Sequence, residues 1–290
     1  PAKREWLPQE TDAIISVNTQ QLQRAELPKR WEKEQPDEWR TIWSGLTSSA
    51  QQTPVLDLTR DSLRVTRALT TEKIGAVREF VLVQAKADVA PVIGSVEKDK
   101  SFERRTISGL GVWSRPDLAL ARVGQRTLAI GVPSEVEELV RVRLGIKQDL
   151  KITGNLFARF QALDQETPIR LVSSDPPSLG RYFNPIFARE LLDSAEIFGL
   201  GLTLENPVKA RVIVRTKSSK AAEALAQQVR ENPQRWLRLQ DSGLFLFAQP
   251  PEVTTQGAGV EIRCNVPENS ARLLLHRVAK TNPPPALAGP

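Results

Sequence analysis

The chain has 290 residues, 40% hydrophobic and 26% charged, and its 40 Lys and Arg against 34 Asp and Glu give a formal charge of +6. That length and balance belong to a folded chain, one large domain or two smaller ones, each burying roughly two-thirds of its unfolded surface, and they argue against disorder. One Cys and one His exclude an internal disulfide and a four-ligand structural zinc, and no stretch approaches the roughly 18 uncharged apolar residues of a membrane-crossing helix.

In chain order, Asp12 to Asn18 (DAIISVN) predicts a strand, and Asp37 opens a helix that buries Trp39, Ile42, Trp43 and Leu46 at i, i+3, i+4, i+7. Ser62 to Thr70 and Glu79 to Ala87 predict strands, after which Asp88 caps a short helix carrying Val89, Val92, Ile93 and Val96. Three strands follow, Arg105 to Trp113, Leu118 to Val123 and Arg126 to Gly131, separated by the turn signals Pro116-Asp117 and Gly124-Gln125. Ser134 with Glu137 three residues on predicts a capping box for a helix with Val136, Leu139, Val140 and Leu144 inward, stopped by Gly145.

The second half predicts a strand at Asn155 to Gln161, a helix at Pro185 to Asp193, and strands at Glu196 to Leu204 and Val208 to Thr216. A helix over Lys220 to Glu231, with Ser219 as its cap, leads to strands Gly243 to Ala248 and Gly259 to Asn265, joined by the loop PPEVTTQGA. The last helix starts at Glu268 and buries Ala271, Leu274, Leu275 and Val278.

Three sequence pairs recur in the same order. Ser108-Gly109-Leu110 returns as Ser242-Gly243-Leu244 and Val132-Pro133 as Val266-Pro267, both at an offset of 134, since 242 − 108 = 266 − 132 = 134. Phe80 to Val83 corresponds at nearly that offset to Arg211 to Val214. A recurrence of element types in this order predicts duplicated halves. Short turns between strands require antiparallel neighbours, and helices interrupt them too rarely for a doubly wound parallel sheet. The expected architecture is therefore α+β twice: residues 1–147 as one antiparallel sheet with helices on one face, residues 148–280 as a second, and 281–290 (TNPPPALAGP) as a Pro-rich flexible tail.

Catalytic chemistry finds little footing. His276 falls one position beyond the buried Leu274 and Leu275, on the helix flank, and Cys264 shares strand parity with Val260, Ile262 and Val266, which turns it inward as a small hydrophobe. The nucleophile elbow, the phosphate loop and the dinucleotide glycine fingerprint are absent, and Gly109-Leu110-Gly111 and Gly199-Leu200-Gly201 lie inside strand-like runs, where bulges or tight packing explain them. Ser95 and Lys98 have S-x-x-K spacing without the companion motifs that give it meaning. Nucleic-acid clamping is disfavoured because charge is interspersed: residues 1–145 carry 22 basic and 20 acidic side chains, leaving 40 − 22 = 18 and 34 − 20 = 14 for the rest. Among the tryptophans, Trp39 and Trp43 belong to a buried helical face, so Trp6 and Trp31 are the expected exposed anchors.

Leu7-Pro8-Gln9-Glu10-Thr11-Asp12-Ala13-Ile14-Ile15-Ser16-Val17-Asn18 resembles the L-P-x-x-T-D-A-x-x-x-V-N start of an uncharacterised family of exported, often membrane-tethered bacterial proteins of planctomycete type. Lys220 to Leu225 and Val260 to Val278 resemble that family as well. The resemblance implies export and a non-enzymatic role, and it supplies no catalytic residue. The chain begins at Pro1 and contains no Met, so a preceding segment, whether a signal peptide, an anchor or another domain, is expected.

The sequence thus leads to a non-catalytic extracytoplasmic binding or assembly protein, periplasmic or secreted, with a protein partner and no cofactor. No catalytic, cofactor-binding or metal residue is assigned. Its rivals are a ligand-sensing domain of a membrane-tethered protein with a site between the halves, a hydrolase with paired carboxylates, and a nucleic-acid binder.

Overall fold

A computed structural model of the chain describes residues 7–47, 57, 61–71, 77–147, 167–179, 189–239 and 242–279. The strand expected at Asn155 to Gln161, the first part of the helix expected at Pro185 to Asp193, the Pro-rich tail and Trp6 lie outside these residues. The elements run β1 (Ala13–Val17), α1 (Thr19–Arg24), α2 (Glu26–Glu34), α3 (Pro36–Thr47), β2 (Ser62–Thr71), β3 (Val77–Ala85), α4 (Ala90–Val96), β4 (Glu103–Ile107), β5 (Leu110–Arg115), β6 (Leu118–Gly124), β7 (Thr127–Gly131) and α5 (Pro133–Arg143). They continue with β8 (Ile169–Ser173), a 3-10 turn at Pro176–Ser178, α6 (Arg189–Asp193), β9 (Ile197–Thr203), β10 (Val208–Arg215), α7 (Ser219–Glu231), α8 (Pro233–Trp236), β11 (Glu252–Gln256), β12 (Gly259–Val266) and α9 (Glu268–Ala279).

The chain forms two compact units. The first contains β1, β2 to β7, α4 and α5, and the second contains α2, α3 and every element from β8 onward. These units are not the linear segments 1–147 and 148–280, because the helices of 21–46 are counted with the second.

In the first unit the strand order is β1-β2-β3-β7-β6-β5-β4, and each pairing is antiparallel. Alternation along the strands makes two faces. Val65, Val81, Val83, Leu120, Leu128 and Ile130 form one core with Val89, Ile93 and Val96 around α4. The opposite face, with Ala119, Ala121 and Ala129 all buried, takes α5, whose Glu135 and Glu138 meet Arg78 of β3. Helices therefore cover both faces here, where one was expected. The cause is that even and odd strand positions are both apolar, so each face must be buried.

Local chemistry refines three expectations. The single strand expected at Arg105 to Trp113 is two, because Ser108 (φ 46°) and Gly109 (φ 88°) close a two-residue turn between Ile107 and Leu110. A capping box does not form at α5. Pro133 starts that helix behind Val132, and the Ser134 hydroxyl bonds the neighbouring Glu135 carboxylate instead. Gly145, with φ 72°, closes the helix as expected, and the following Ile146 N–H reaches back to the Arg141 carbonyl.

In the second unit the order is β8-β9-β10-β12-β11, again antiparallel. Leu171, Leu200, Val212, Ile262 and Val253 line up across the five strands on one face, while Arg170, Gly201, Arg211, Arg263 and Glu252 line up on the other. The loop expected at 250–258 is largely β11, paired to β12 through Gly257 at φ 57°, and the expected strand at 243–248 is reduced to one bridge between Phe245 and Arg238. Helix α7 is capped by Ser218, one residue before the expected Ser219, and buries Ala222, Leu225, Ala226 and Val229 at helical spacing.

Helices α2, α3 and α9 join in the same unit. Trp31 is 2% exposed, not an exposed anchor. Its indole N–H donates to Glu268, Arg272 lies 5.4 Å over its ring, and Trp31, Trp39 and Trp43 contact in series at 6.0 and 6.2 Å. Gly45 lets α3 approach α9: a Cβ at this position would lie 2.2 Å from the Ala279 carbonyl oxygen.

Candidate functional site

The polar face of the second unit carries a cleft of about 460 Å³. Lys209 and Arg211 reach it from β10, Arg263 and Asn265 from β12, and Thr203 from β9. Alternate residues of adjacent strands share a face, so the sequences Lys209-Ala210-Arg211 and Glu261-Ile262-Arg263-Cys264-Asn265 deliver their polar members together and their apolar members to the core.

Arg211 stands directly opposite Arg263 in the ladder, an arrangement that destabilises a sheet unless the like charges are compensated. Glu261 compensates both. The Arg211 Nε and a terminal guanidinium nitrogen each donate to a different Glu261 oxygen at 2.9 Å, and Arg263 Nε donates to Oε1 at 2.6 Å. Hydrogen bonds from Arg211 hold the Glu261 carboxyl below its ordinary value against the opposing effect of burial, and Arg263 adds to the shift. One carboxylate therefore serves two guanidinium groups. Lys209 is exposed and forms no ion pair among the described residues, so its ammonium faces the cleft uncompensated.

A neighbouring cleft of about 480 Å³ shares Thr203 and is bounded by Arg24 and Glu26 at the α1–α2 junction and by Glu205 and Asn206 in the β9–β10 turn. Its described lining carries one Arg against two Glu, an excess of one negative charge.

The Cys264 and Ser95 side chains are each engaged in a local hydrogen bond. Cys264 borders the first cleft, yet its S–H donates to the Leu246 carbonyl at 3.2 Å and burial pushes the thiol up to about 12, so it is protonated at neutral pH. The Ser95 hydroxyl donates to the Pro91 carbonyl inside α4, which leaves the Ser95/Lys98 spacing without a poised nucleophile. His276 is half-buried on α9, on the expected flank.

Two buried carboxylates do come together in the first unit, Glu135 and Glu138 on α5. Arg78 donates to Glu138 at 2.8 Å and to Glu135 at 3.3 Å, and Lys147 lies 3.2 Å from Glu138. Burial works to raise the Glu138 carboxyl, but the hydrogen bonds and charges of Arg78 and Lys147 outweigh it and hold the group below its ordinary value. Such a carboxylate is an ionised structural partner, the opposite of the raised acid that glycoside hydrolysis needs. Among the described residues no group of three or more His, Cys, Asp or Glu is placed to hold a metal ion, and no described helix is long and apolar enough to cross a membrane.

Sequence reasoning did not single out Lys209, Glu261 or Arg263. The available signal was the polar-apolar alternation in β10 and β12, which becomes a cluster only once the pairing register is fixed.

No family model matches the chain, and no match was found among curated proteins. Among solved structures, crystal form III of TP0453 is similar at 8% identity with a TM-score of 0.51, covering 93% of this chain and 96% of that one. Crystal form IV of TP0453 is similar at 7% identity and 0.50, covering 93% of each. At these identities the likeness is one of fold, mixed α and β built on antiparallel sheet.

Proposed function

We propose that this chain is a non-catalytic extracytoplasmic binding protein whose two α+β halves arose by duplication and together serve assembly with a protein partner. The observation that carries the non-catalytic reading is the state of its reactive groups: a protonated thiol beside the cleft and carboxylates locked in their ionised forms by Arg78 and Arg211. The duplication is supported by strand plan. The order β3-β7-β6 ending in α5 has its counterpart in β10-β12-β11 ending in α9, and Val-Pro precedes both closing helices. Export, and a membrane tether beyond this segment, are proposed on the resemblance of the Leu7 to Asn18 stretch.

The test is affinity capture of the native protein from its source at low and high salt, with mass spectrometry of the bound fraction. A stoichiometric companion that survives high salt supports an assembly subunit with an apolar interface. A chain that stays monomeric and captures no companion would sink the assembly role.

A second reading, binding of a small molecule, is favoured by the cation-rich cleft on β9, β10 and β12. Pockets of about 300–1,000 Å³ with a few convergent polar groups are the usual form of such sites, and about 460 Å³ falls within that range.

A further inference from the structure

We infer that the cleft bounded by Lys209, Arg211 and Arg263 binds a small organic anion through a carboxylate or phosphate group. The inference rests on the second reading above and names the ligand class for that site. Four features of the cleft carry it.

Three cations line the cleft, and one carboxylate, Glu261, is shared between the two arginines. Glu261 lies outside the described lining, whose acidic residue is Glu252, on the edge strand opposite Arg263. Among the described residues Lys209, Arg211 and Arg263 stand against Glu261 and Glu252, and Lys209 forms no ion pair there.

Donors are also left over in suitable geometry. Arg263 uses its Nε on Glu261, and its side chain is 59% exposed. Its terminal nitrogens are thus open to an oxyanion, which a guanidinium fork recognises in bidentate fashion. The Lys209 ammonium, two residues before Arg211 on the same strand face, supplies a point charge with three donors.

Arg211 has a different part. Its bidentate bond to Glu261 fixes that carboxylate, which in turn orients Arg263. Arg211 is therefore a positioning residue and Arg263 with Lys209 the contacting pair.

Elsewhere the wall mixes apolar Ala210 and Pro250 with uncharged polar Thr203, Gln249 and Asn265, which are available to hydroxyl or amide groups of a ligand body. The volume exceeds what a bare inorganic ion fills, which is why the ligand is read as an anion carrying an organic portion.

The experiment is isothermal titration of the full chain with citrate, glucose 6-phosphate, inorganic phosphate and uncharged glucose at low salt, repeated with Lys209→Ala and Arg263→Ala. Both substituted side chains are largely solvent-facing, and circular dichroism checks that each variant is folded. Saturable binding of citrate or glucose 6-phosphate is expected, weakened about tenfold or more by either substitution, as expected for loss of one charge-assisted hydrogen bond.

Preference for citrate identifies a carboxylate ligand, and preference for glucose 6-phosphate a phosphate ligand. Vesicles with and without anionic headgroups separate a lipid source from a free metabolite. Glucose binding as tightly as glucose 6-phosphate, unaffected by either variant, would overturn the anion assignment while leaving small-molecule binding intact. Failure of all probes to bind, glucose included, overturns the inference and the reading beneath it together.

Discussion

In the first unit the helix after the central hairpin, α5, lies on a sheet face of small side chains, Ala119, Ala121 and Ala129, and is held there by Arg78. In the second unit the helix after β12, α9, is tied to α2 and α3 through Glu268, Arg272 and the Gly45–Ala279 approach. Strand β7, before α5, carries Ala129 and Gly131, whereas β12, before α9, carries Arg263 and Asn265. The two sheets thus differ in how a following helix is seated, according to side-chain size and charge on one face. Where that face is small it takes a helix, and where it is charged it borders a cleft.

The comparison can be broken most severely at its two anchors. Arg78→Ala leaves Glu135 and Glu138 buried, 7% and 6% exposed, with their principal cation removed, and is expected to cost about 3–5 kcal/mol in urea unfolding. A loss under about 1 kcal/mol would show that α5 is seated by its apolar contacts alone. Gly45→Ala tests the other anchor, since the added methyl meets backbone rather than a flexible side chain. A loss of about 1–3 kcal/mol is expected from overpacking, with Trp fluorescence of the Trp31–Trp39–Trp43 series altered alongside.

Acid sharpens the contrast more gently. The Glu138, Glu261 and Glu268 carboxyls are all depressed below their ordinary value of 4.5. For Glu268 burial opposes the shift, and Trp31, Arg30 and Arg272 outweigh it. A depressed folded-state value means that the unfolded chain takes up protons first as pH falls. The stabilisation is complete above about 4.5 and is lost progressively below it, so urea midpoints measured from pH 6 to pH 3 should hold steady and then decline. A midpoint that rises on acidification would contradict these pairings.

A Cβ added at Gly94 in α4 would meet no atom within 4 Å, and the backbone there is right-handed, so Gly94→Ala is expected to stabilise the first unit by about 0.5–1 kcal/mol. The smallest effect is chemical: native Cys264 should resist a thiol reagent at pH 8 for as long as the second unit stays folded. Prompt labelling without unfolding would show the thiol to be accessible.

Much of this fold was legible in the sequence, for identifiable reasons. The periodicities of 39–46, 222–229 and 271–278 are strong because each helix buries one stripe, and the alternation of β10 and β12 assigned their faces. Turns were less legible. Ser108-Gly109 and Gly257-Ala258 each convert what reads as continuous strand or loop into a hairpin, and only the left-handed backbone reveals it. Trp31 misled for another reason. Its neighbours Arg30 and Glu32 are charged, but Glu268 and Arg272, 237 and 241 residues away along the chain, cover its ring and bond its N–H. The cleft cations were illegible for the same cause, since their meeting depends on strand pairing and not on spacing along the chain.

Among the described residues, β4 and β11 each have a strand neighbour on one side only. In β4 the residues Glu103, Arg104, Arg105 and Thr106 are all exposed, and in β11 so are Glu252, Thr254, Thr255 and Gln256. Open sheet borders are templates for fibril-like growth, and charge along them is a natural guard against it. The polarity of these borders therefore opposes edge-to-edge pairing, and neutralising Arg104 and Arg105 is expected to promote aggregation before it affects folding.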